Sequence, residues 1–260
     1  MIGIIETPFG YVDSYNVAIT AGIIVTLVIL VITYLKAFKK PKYLFCILSY
    51  LVILFVGQYF SSFVRLMNEE PFSLRIFKYT FDKQGSHFLG HVICFGLLYY
   101  PVMYFMRRFF GDIFGVEIAT KEDIPRIGYI TAFALPIQHI FNRIACISRG
   151  CCYGIEYDGF CSVRFPHNQE LDHSVFPCQF LEILFMIILI ILMLILYKKG
   201  KNVFSVMLIG FSITFFICEF FTYNPDKYKV LGLTFVQLFS FISLIIGVIH
   251  LCMTNRKRKN

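Results

Sequence analysis

The sequence predicts an all-α integral membrane protein of about seven transmembrane helices with a short extracytoplasmic loop region. Of its 260 residues, 58% are hydrophobic and only 15% are charged, and the mean hydropathy is +0.71. Soluble domains carry about 25% charged residues. The apolar residues form runs of roughly 20, the length that crosses the hydrocarbon core as a helix. We therefore expect one integral membrane domain over residues 1–260.

Seven apolar runs account for the predicted spans in chain order. They cover residues 15–36, 43–64, 87–106, 127–147, 177–197, 203–222 and 230–252. The fourth run differs from the others because it carries Pro136, Gln138, His139 and Arg143. Residues 111–126 are predicted to form a surface segment between two spans.

Basic residues cluster between the apolar runs, a pattern that sets the orientation of a membrane protein. Fifteen fall on one side: Lys36, Lys39, Lys40, Lys42, Arg107, Arg108, Lys121, Arg126, Lys198, Lys199, Lys201, Arg256, Lys257, Arg258 and Lys259. Eight fall on the other: Arg65, Arg75, Lys78, Lys83, Arg149, Arg164, Lys227 and Lys229. The more basic side is predicted to be cytoplasmic, with the N-terminus outside and the C-terminus inside. This explanation of the +8 net charge does not require a nucleic-acid partner.

Polar side chains gather near the outer ends of six of the seven spans. They are Tyr15, Asn16, His87, His91, Arg143, Gln179, Glu182, Glu219 and Gln237. An ionisable group inside a membrane costs roughly 2.5–3.5 kcal/mol or more, so such groups usually mark function. Singly, each has a simpler interpretation: Arg143 can reach the headgroups, Glu219 can be its structural partner, and a glutamine can bond to a neighbouring helix. His139 is expected to bond between helices, and His250 to be incidental. The convergence indicates a site.

The residue types at this level suit chemistry on a phospholipid headgroup. A guanidinium such as that of Arg143 can hold a phosphate through two oxygens, and a carboxylate can orient it. A histidine can take a proton from a nucleophile, because imidazole titrates near neutral pH. These groups predict a transferase that cleaves a lipid next to its phosphate and passes the lipid portion to an acceptor.

Five stretches resemble the prolipoprotein diacylglyceryl transferase family of bacterial inner-membrane enzymes, and the resemblance covers nearly the whole chain. The first, "HIFNRIACISRGCCYG", is similar to the family's signature segment, with Arg143, Gly150 and Gly154 on matching positions. The others are "SVRFP", "FPCQFLE", "CEFFTYNPD" and "LGLTFVQLFS". Tyr15 falls on the tyrosine of the family's first helix.

The resemblance implies an activity and partners. The family transfers the diacylglyceryl group of phosphatidylglycerol to the cysteine thiol of a lipoprotein precursor and releases glycerol phosphate. It implies phosphatidylglycerol, a precursor peptide or other thiol acceptor, and the bacterial inner membrane as partners, and no cofactor.

The resemblance also implies roles for individual residues. Arg143 would bind the phosphate with support from Glu219, and Tyr15 would line the site. The predicted catalytic set is His87, His91, Arg143 and Glu219. The predicted substrate-binding set is Tyr15, Arg143, Gly154, Gln179 and Gln237. Glu182, like the two glutamines, would pack around or support the site.

Several positions depart from the family's pattern. In "SHFLGHVICFG" the family's His-Gly-Gly motif is broken, and the register places Leu89 on the histidine position. Two arginines are replaced by Phe215 and Thr222, and the signature asparagine and glutamate are replaced by Cys146 and Cys151. Three alternatives therefore stay open: a paralogue with another acceptor, a membrane thiol-redox or metal-handling protein, and a non-catalytic lipid-binding protein.

Five of the nine cysteines fall on or near the predicted outer side: Cys146, Cys151, Cys152, Cys161 and Cys178. Disulfides form outside the cytoplasm, and adjacent cysteines rarely bond to each other. We therefore expect Cys151 or Cys152 to pair with Cys161 or Cys178. Two other interpretations are a reactive thiol next to Arg143 and a zinc site with His167 and His173. Because the spacing fits no standard zinc pattern, no metal is expected.

Overall fold

The computed structural model describes residues 4–7, 10–69, 87–165, 171–223 and 229–259. In it, every one of the seven spans predicted from the sequence contains one or two helices. They are α1 (Ser14–Phe38), α2 (Ile47–Glu69), α3 (Leu89–Phe114), α4 (Ile124–Ala132), α5 (Ala134–Arg149), α6 (Cys178–Lys198), α7 (Val203–Cys218) and α8 (Phe235–Lys259). A 3-10 helix, Pro41–Cys46, leads into α2. Within the described residues, six helical segments are long and apolar enough to cross a membrane, and α7 is a shorter apolar helix. The predicted class, an all-α multi-pass membrane protein, is confirmed.

The fourth predicted span, residues 127–147, consists of two helices rather than one. The break lies at Phe133, between the end of α4 and the start of α5. Pro136 explains it, because proline has no N–H to donate to the carbonyl of Ala132 one turn earlier. At the break, Phe133 N donates to the carbonyl three residues back, Ile130 O, at 3.3 Å. This is the tighter 3-10 pattern rather than the α-helical bond to the carbonyl four residues back. Together the two helices still form one apolar segment, Ile124–Arg149, long enough to span.

Neighbouring helices pack in the order α1, α5, α6, α7, α8, α3 and α2, and α4 packs against α7. Glycines lie at the close contacts. A Cβ added at Gly22 of α1 would lie 2.5 Å from Phe141 Cβ in α5, and one added at Gly90 of α3 would lie 2.4 Å from the Ser61 backbone in α2. Lipid tails are as apolar as the helix side chains, so the hydrophobic effect does not drive membrane helices together. They associate through close packing, which small residues such as glycine allow. The contacts hold α1, which carries Tyr15, and α3, which begins two residues after His87.

Two small antiparallel hairpins add to the predicted architecture. β1 (Ile4–Thr7) pairs with β2 (Gly10–Asp13), and β3 (Lys229–Val230) pairs with β4 (Leu233–Thr234). Each hairpin leads directly into a helix, α1 or α8. Asp13 caps α1, its carboxylate accepting from Tyr15 N at 3.0 Å. Ser14 Oγ lies 3.2 Å from Ser148 Oγ, so the start of α1 meets the end of α5.

The opposite end of the bundle has its own buried hydrogen bonds. Thr131 Oγ1 lies 2.6 Å from Tyr34 Oη and 3.0 Å from Tyr99 Oη. His250 Nδ1 lies 2.7 Å from Ser205 Oγ. These bonds join α1, α3 and α4, and they join α7 to α8. His250 therefore has a structural role, although the sequence analysis expects it to be incidental.

Some residues used in the sequence analysis lie outside the described residues. They are Arg75, Lys78, Lys83, His167 and Lys227. The charge distribution on the predicted outer side and the zinc interpretation that includes His167 therefore stay predictions.

Candidate functional site

The last turns of α5 present a row of polar side chains to the start of α6. His139, Arg143 and Cys146 are spaced four and three residues apart, which puts them on one face of the helix. Glu182 lies one turn into α6, and all four side chains are buried. The loop that joins the two helices begins and ends beside this face.

A buried carboxylate joins the arginine to the histidine. Glu182 Oε2 lies 2.9 Å from Arg143 Nε and 2.8 Å from His139 Nε2. The Arg143 side chain keeps 11% of its surface exposed, and the Glu182 side chain keeps 6%. Removing one partner of a pair at this depth leaves an uncompensated charge. Glu182 is the ionic partner of Arg143. The sequence analysis predicts for it only a packing or supporting role.

Glu182 also determines which ring nitrogen of His139 carries a hydrogen. An ionised carboxylate only accepts, so His139 Nε2 is the donor in the 2.8 Å bond. Arg143 Nε, 3.4 Å from the same nitrogen, then donates to Glu182 rather than to His139. Nδ1 of His139 has no hydrogen-bond partner within the described part of the chain, and the rings of Phe88 and Phe215 pack around it. His139 thus bonds α5 to α6 and steadies the carboxylate.

The outer edge of the Arg143 guanidinium is available for another anion. Nη1 lies 4.0 Å from Cys146 Sγ. Among the described residues, no oxygen acceptor is bonded to Nη1 or Nη2. Because Glu182 engages Nε, the two Nη groups can point together at a second anion, as in bidentate phosphate recognition.

The two candidate histidines at the start of α3 have different neighbours. His87 lies close enough to Arg143 and Glu182 for both charges to act on it, and its ring centroid is 5.3 Å from that of Phe215. His91 is buried, with Nδ1 2.6 Å from Ser61 Oγ in α2. The structure places His87 within electrostatic range of the arginine and His91 in the contact between α2 and α3.

Tyr15 lies where the start of α1 meets the end of α5. The Arg149 guanidinium stacks on its ring, 3.9 Å from the centroid, and also forms an ion pair with Asp13. The thiols of Cys146 and Cys151 are close enough to act on its hydroxyl electrostatically. Tyr15 is therefore held at the edge of the site, against the cysteines.

Gln179 and Gly154 hold the loop between α5 and α6. Gln179 Nε2 donates to Cys151 O at 2.7 Å. Gly154 N donates to Phe176 O at 3.0 Å, and a Cβ added at Gly154 would lie 2.5 Å from that oxygen. Only glycine lets two backbones approach so closely. Both residues, predicted to bind substrate, make these contacts within the protein.

Gln237 and Glu219 lie at helix ends. Thr234 N donates to Gln237 Oε1 at 3.0 Å, and Gln237 N donates to Thr234 Oγ1 at 3.2 Å. This reciprocal pair is a capping box at the start of α8, and the pattern Thr-x-x-Gln in "TFVQ" is the sequence signal that indicates it. Glu219 is buried directly after the last residue of α7.

Three cysteines form what we call the three-thiol cluster at the end of α5. The sulfur atoms of Cys146, Cys151 and Cys152 lie within 4.8 Å of one another. The helix ends at Gly150 in the left-handed conformation, and Cys151 N donates to Cys146 O at 3.1 Å, so the chain folds back over the last turn. Hydrogen bonds from Cys146 and then Cys151 lower the pKa of the Cys152 thiol well below its ordinary value.

The predicted disulfide is not formed. Among the described residues, no cysteine is joined to another. The prediction pairs Cys151 or Cys152 with Cys161 or Cys178, but the turn after α5 brings both thiols to Cys146 instead. Cys161 is exposed, and Cys178 is buried as the first residue of α6. For this structure the prediction is wrong.

The fold and the site define a class, a multi-pass membrane protein whose helices bury an arginine, a glutamate and a histidine together near the ends of α5 and α6. Comparison with known proteins places the chain within that class. The profile of the family described as prolipoprotein diacylglyceryl transferase matches residues 12–253. The chain belongs to this family.

The chain is also similar to two curated proteins of that description. It is 27% identical over 154 residues to phosphatidylglycerol–prolipoprotein diacylglyceryl transferase 2 of Clostridium perfringens, covering 56% of this chain and 59% of that protein. It is 28% identical over 158 residues to phosphatidylglycerol–prolipoprotein diacylglyceryl transferase of Dehalococcoides mccartyi, covering 57% and 60%. The chain thus spans less than two thirds of the length of the curated relatives it matches.

Proposed function

We propose that this protein transfers the diacylglyceryl group of phosphatidylglycerol to a cysteine thiol of a lipoprotein precursor. The observation that carries the proposal is the buried guanidinium of Arg143, which Glu182 holds through Nε. Within the described part of the chain no oxygen acceptor is bonded to its two Nη groups, so they can bind two phosphate oxygens. Membership of the family and the names of the two relatives support the same reaction.

The reaction exchanges one bond for another at the glyceryl carbon next to the phosphate. The acceptor thiolate attacks this carbon, a C–S bond forms, and the C–O bond to the phosphate breaks. Glycerol phosphate leaves with the bonding electron pair. Because negative charge grows on the phosphate as the bond breaks, a fixed guanidinium stabilises the transition state more than the bound lipid. Arg143 suits this role because Glu182 orients it before the lipid arrives.

The acceptor thiol must lose its proton, and His87 is the base that the geometry favours. His87 lies near Arg143 and Glu182, whereas His91 is bonded to Ser61. An uncharged imidazole can accept this proton. His139 is a positioning residue, because its hydrogen bond holds Glu182.

We place the site on the outer side of a bacterial inner membrane, with the N-terminus outside and the C-terminus in the cytoplasm. The distribution of fifteen basic residues against eight supports this orientation. An outward site would meet both phospholipid headgroups and precursors that have crossed the membrane.

A reconstituted assay tests the proposal. Full-length protein in phosphatidylglycerol vesicles is mixed with a peptide carrying one lipobox cysteine, and mass spectrometry follows the peptide. We expect the mass to rise by one diacylglyceryl group, and we expect no rise with vesicles of phosphatidylethanolamine alone or with a serine in place of the peptide's cysteine. No rise in the complete mixture would refute the proposed reaction.

Variants of Arg143 test the role of the guanidinium in the same assay. Arg143→Ala should abolish transfer, and Arg143→Lys should restore little, because an ammonium cannot bind two phosphate oxygens as a planar fork does. Arg107→Ala is the control, since Arg107 lies in the last turns of α3 and pairs with Glu117. Full activity of Arg143→Ala would leave the arginine with a purely structural role. Complementation of a strain depleted of its own transferase gives a second readout.

A further inference from the structure

The three-thiol cluster takes no part in the transfer reaction proposed above. Cys146 is buried, Cys151 is partly buried and Cys152 is exposed, so the cluster opens from the protein interior to the surface. Thiolates are soft ligands that select zinc or monovalent copper over magnesium or calcium. The three sulfur atoms are therefore suited to bind a thiophilic metal ion.

The backbone is shaped to bring these thiols together. Gly150 has φ 66°, and Cys152 has φ 56°, a conformation that residues with a side chain rarely adopt. Such a conformation persists where the surrounding contacts determine it. Those contacts are the bond from Cys151 N to Cys146 O at 3.1 Å and the bond from Gln179 Nε2 to Cys151 O at 2.7 Å. The three sulfurs are thus preorganised.

Charge around the cluster favours a divalent ion. Arg143 Nη1 lies 4.0 Å from Cys146 Sγ, so a positive charge lies at the edge of the cluster. Three thiolates this close repel one another unless a cation lies among them. Because Glu182 already pairs with Arg143, three thiolates with Zn²⁺ keep one net negative charge and with a monovalent ion keep two, so a divalent ion compensates more of the thiolate charge. Tyr15 and His87 also act electrostatically on the cluster, and neither brings a carboxylate to it.

We propose that Cys146, Cys151 and Cys152 bind one zinc ion, with the fourth position left to water or an outside ligand. A zinc–sulfur distance of about 2.3 Å puts tetrahedral sulfur ligands roughly 3.8 Å apart, so the observed spacing within 4.8 Å needs only small side-chain rotations. Among the described residues, no other histidine, cysteine or carboxylate joins this group. From the sequence no metal is expected, because the Cys-x₄-Cys-Cys spacing matches no standard zinc pattern. The proposed site departs from that expectation. It does not depend on the proposed transfer reaction.

Zinc binding to the full-length protein tests the site directly. The protein is purified without a histidine tag, which would itself bind metal, then reduced, stripped with a chelator and titrated with Zn²⁺ against a zinc indicator. We expect one zinc ion per chain. Co²⁺ in its place should give a thiolate-to-cobalt charge-transfer band in the near ultraviolet, which requires sulfur ligands.

Cys152→Ser is the informative variant, because Cys152 is an exposed residue beyond the end of α5 and the change replaces only the sulfur by oxygen. It should weaken zinc binding by more than the ~10–100-fold typical of losing an outer-shell partner. Cys161→Ser and Cys252→Ser replace exposed cysteines outside the cluster and should bind zinc like the unmodified chain. Zinc should raise the unfolding temperature of both controls but not that of Cys152→Ser, a readout that separates a lost ligand from a lost fold.

Three results would overturn the proposal. The first is zinc binding by Cys152→Ser equal to that of the unmodified chain. The second is stoichiometric binding of Cu⁺ with no binding of Zn²⁺ or Co²⁺. The third is a disulfide among the three thiols, found by alkylation without reductant, together with no zinc binding after reduction.

Discussion

Glu182 Oε2 lies 2.9 Å from Arg143 Nε, and the two side chains are buried on neighbouring helices. The same oxygen lies 2.8 Å from His139 Nε2. One carboxylate therefore neutralises the guanidinium and fixes its direction, while Nη1 and Nη2 have no oxygen acceptor among the described residues. A compensated charge costs less to bury than an isolated one, which explains how α5 carries an arginine within an apolar bundle.

Replacing Glu182 by glutamine should weaken both the fold and the reaction. Glu182→Gln leaves a buried guanidinium uncompensated and should reduce the free energy of unfolding by about 3 kcal/mol. The loosened arginine should also lower the transfer rate by on the order of 100-fold. Denaturation in detergent and the vesicle assay measure the two effects.

Glu117→Gln is the matched control for that change. Glu117 pairs with Arg107 at 3.3 Å, but the two side chains are 50% and 27% exposed. Losing such a surface pair should change the free energy of unfolding by less than about 1 kcal/mol. If Glu182→Gln were no more destabilising than this control, the buried pair would not hold the site as argued.

His87→Ala and His91→Ala should have different consequences. His87 lies within electrostatic range of Arg143, so its loss should slow transfer by on the order of 10²–10⁴-fold if it acts as the base. His91 is bonded to Ser61, so its loss should lower stability while the folded fraction keeps its rate. Ser61→Ala removes the same bond but keeps the buried ring, so it should cost less stability than His91→Ala and likewise leave the rate unchanged. A normal rate for His87→Ala would show that another group takes the proton.

The spans, and the similar depth of the polar residues within them, can be predicted from sequence. The length of each apolar run and the alternating direction of successive spans determine how deep each residue lies. The partner of Arg143 cannot be predicted in this way. Glu182 and Glu219 have the same predicted level, and the choice depends on how α6 and α7 are rotated about their axes. Both helices are apolar on nearly every side, so hydropathy does not specify that rotation.

A local signal in the sequence explains one of the other differences but not the second. Pro136 breaks the fourth span at Phe133, and the sequence contains that signal because proline cannot continue the hydrogen-bond ladder. The three-thiol cluster carries no comparable signal. It depends on the left-handed conformation of Cys152, which sequence pattern does not indicate for a residue other than glycine.

Asp123 should stabilise the start of α4 in a pH-dependent way. The Tyr43 hydroxyl and Thr120 Oγ1 (at 2.8 Å) both donate to Asp123 Oδ2. The bond from Tyr43 is the main cause that lowers the pKa of the Asp123 carboxyl. A lowered pKa in the folded state means that the stabilisation is present above the unfolded value of about 3.9 and is lost as pH falls through the lower folded value.

Asp123→Asn should therefore cost about 1–2 kcal/mol at pH 7, and the difference should shrink as pH falls below about 4. Thermal unfolding in detergent over a pH series measures it. Asp112→Asn is the control, because Asp112 pairs with Arg108 on an exposed surface and should change stability little. A constant difference between Asp123→Asn and the unmodified chain at every pH would show that the charge of Asp123 is not the cause.

The predicted orientation can be tested with reporter fusions. Alkaline phosphatase fused after Asn260 should be inactive, because the basic residues of the C-terminal segment are expected in the cytoplasm. The same enzyme fused after Gly159, in the loop between α5 and α6, should be active. The reverse pattern would put the Arg143 site on the cytoplasmic side and remove exported precursors as its acceptors.

Gly154 should tolerate no side chain, and the reason is packing rather than contact with lipid. An alanine Cβ there would lie 2.5 Å from Phe176 O and 2.8 Å from Phe221 O, and both are backbone atoms that cannot rotate away. Gly154→Ala should therefore reduce the free energy of unfolding by roughly 1–3 kcal/mol, the usual cost of overpacking. Gly111→Ala is the control, since nothing lies within 4 Å of an added Cβ there and alanine favours the helix. If Gly154→Ala unfolds like the unmodified chain but needs more phosphatidylglycerol for the same transfer rate in detergent micelles, Gly154 contacts the lipid and the packing explanation fails.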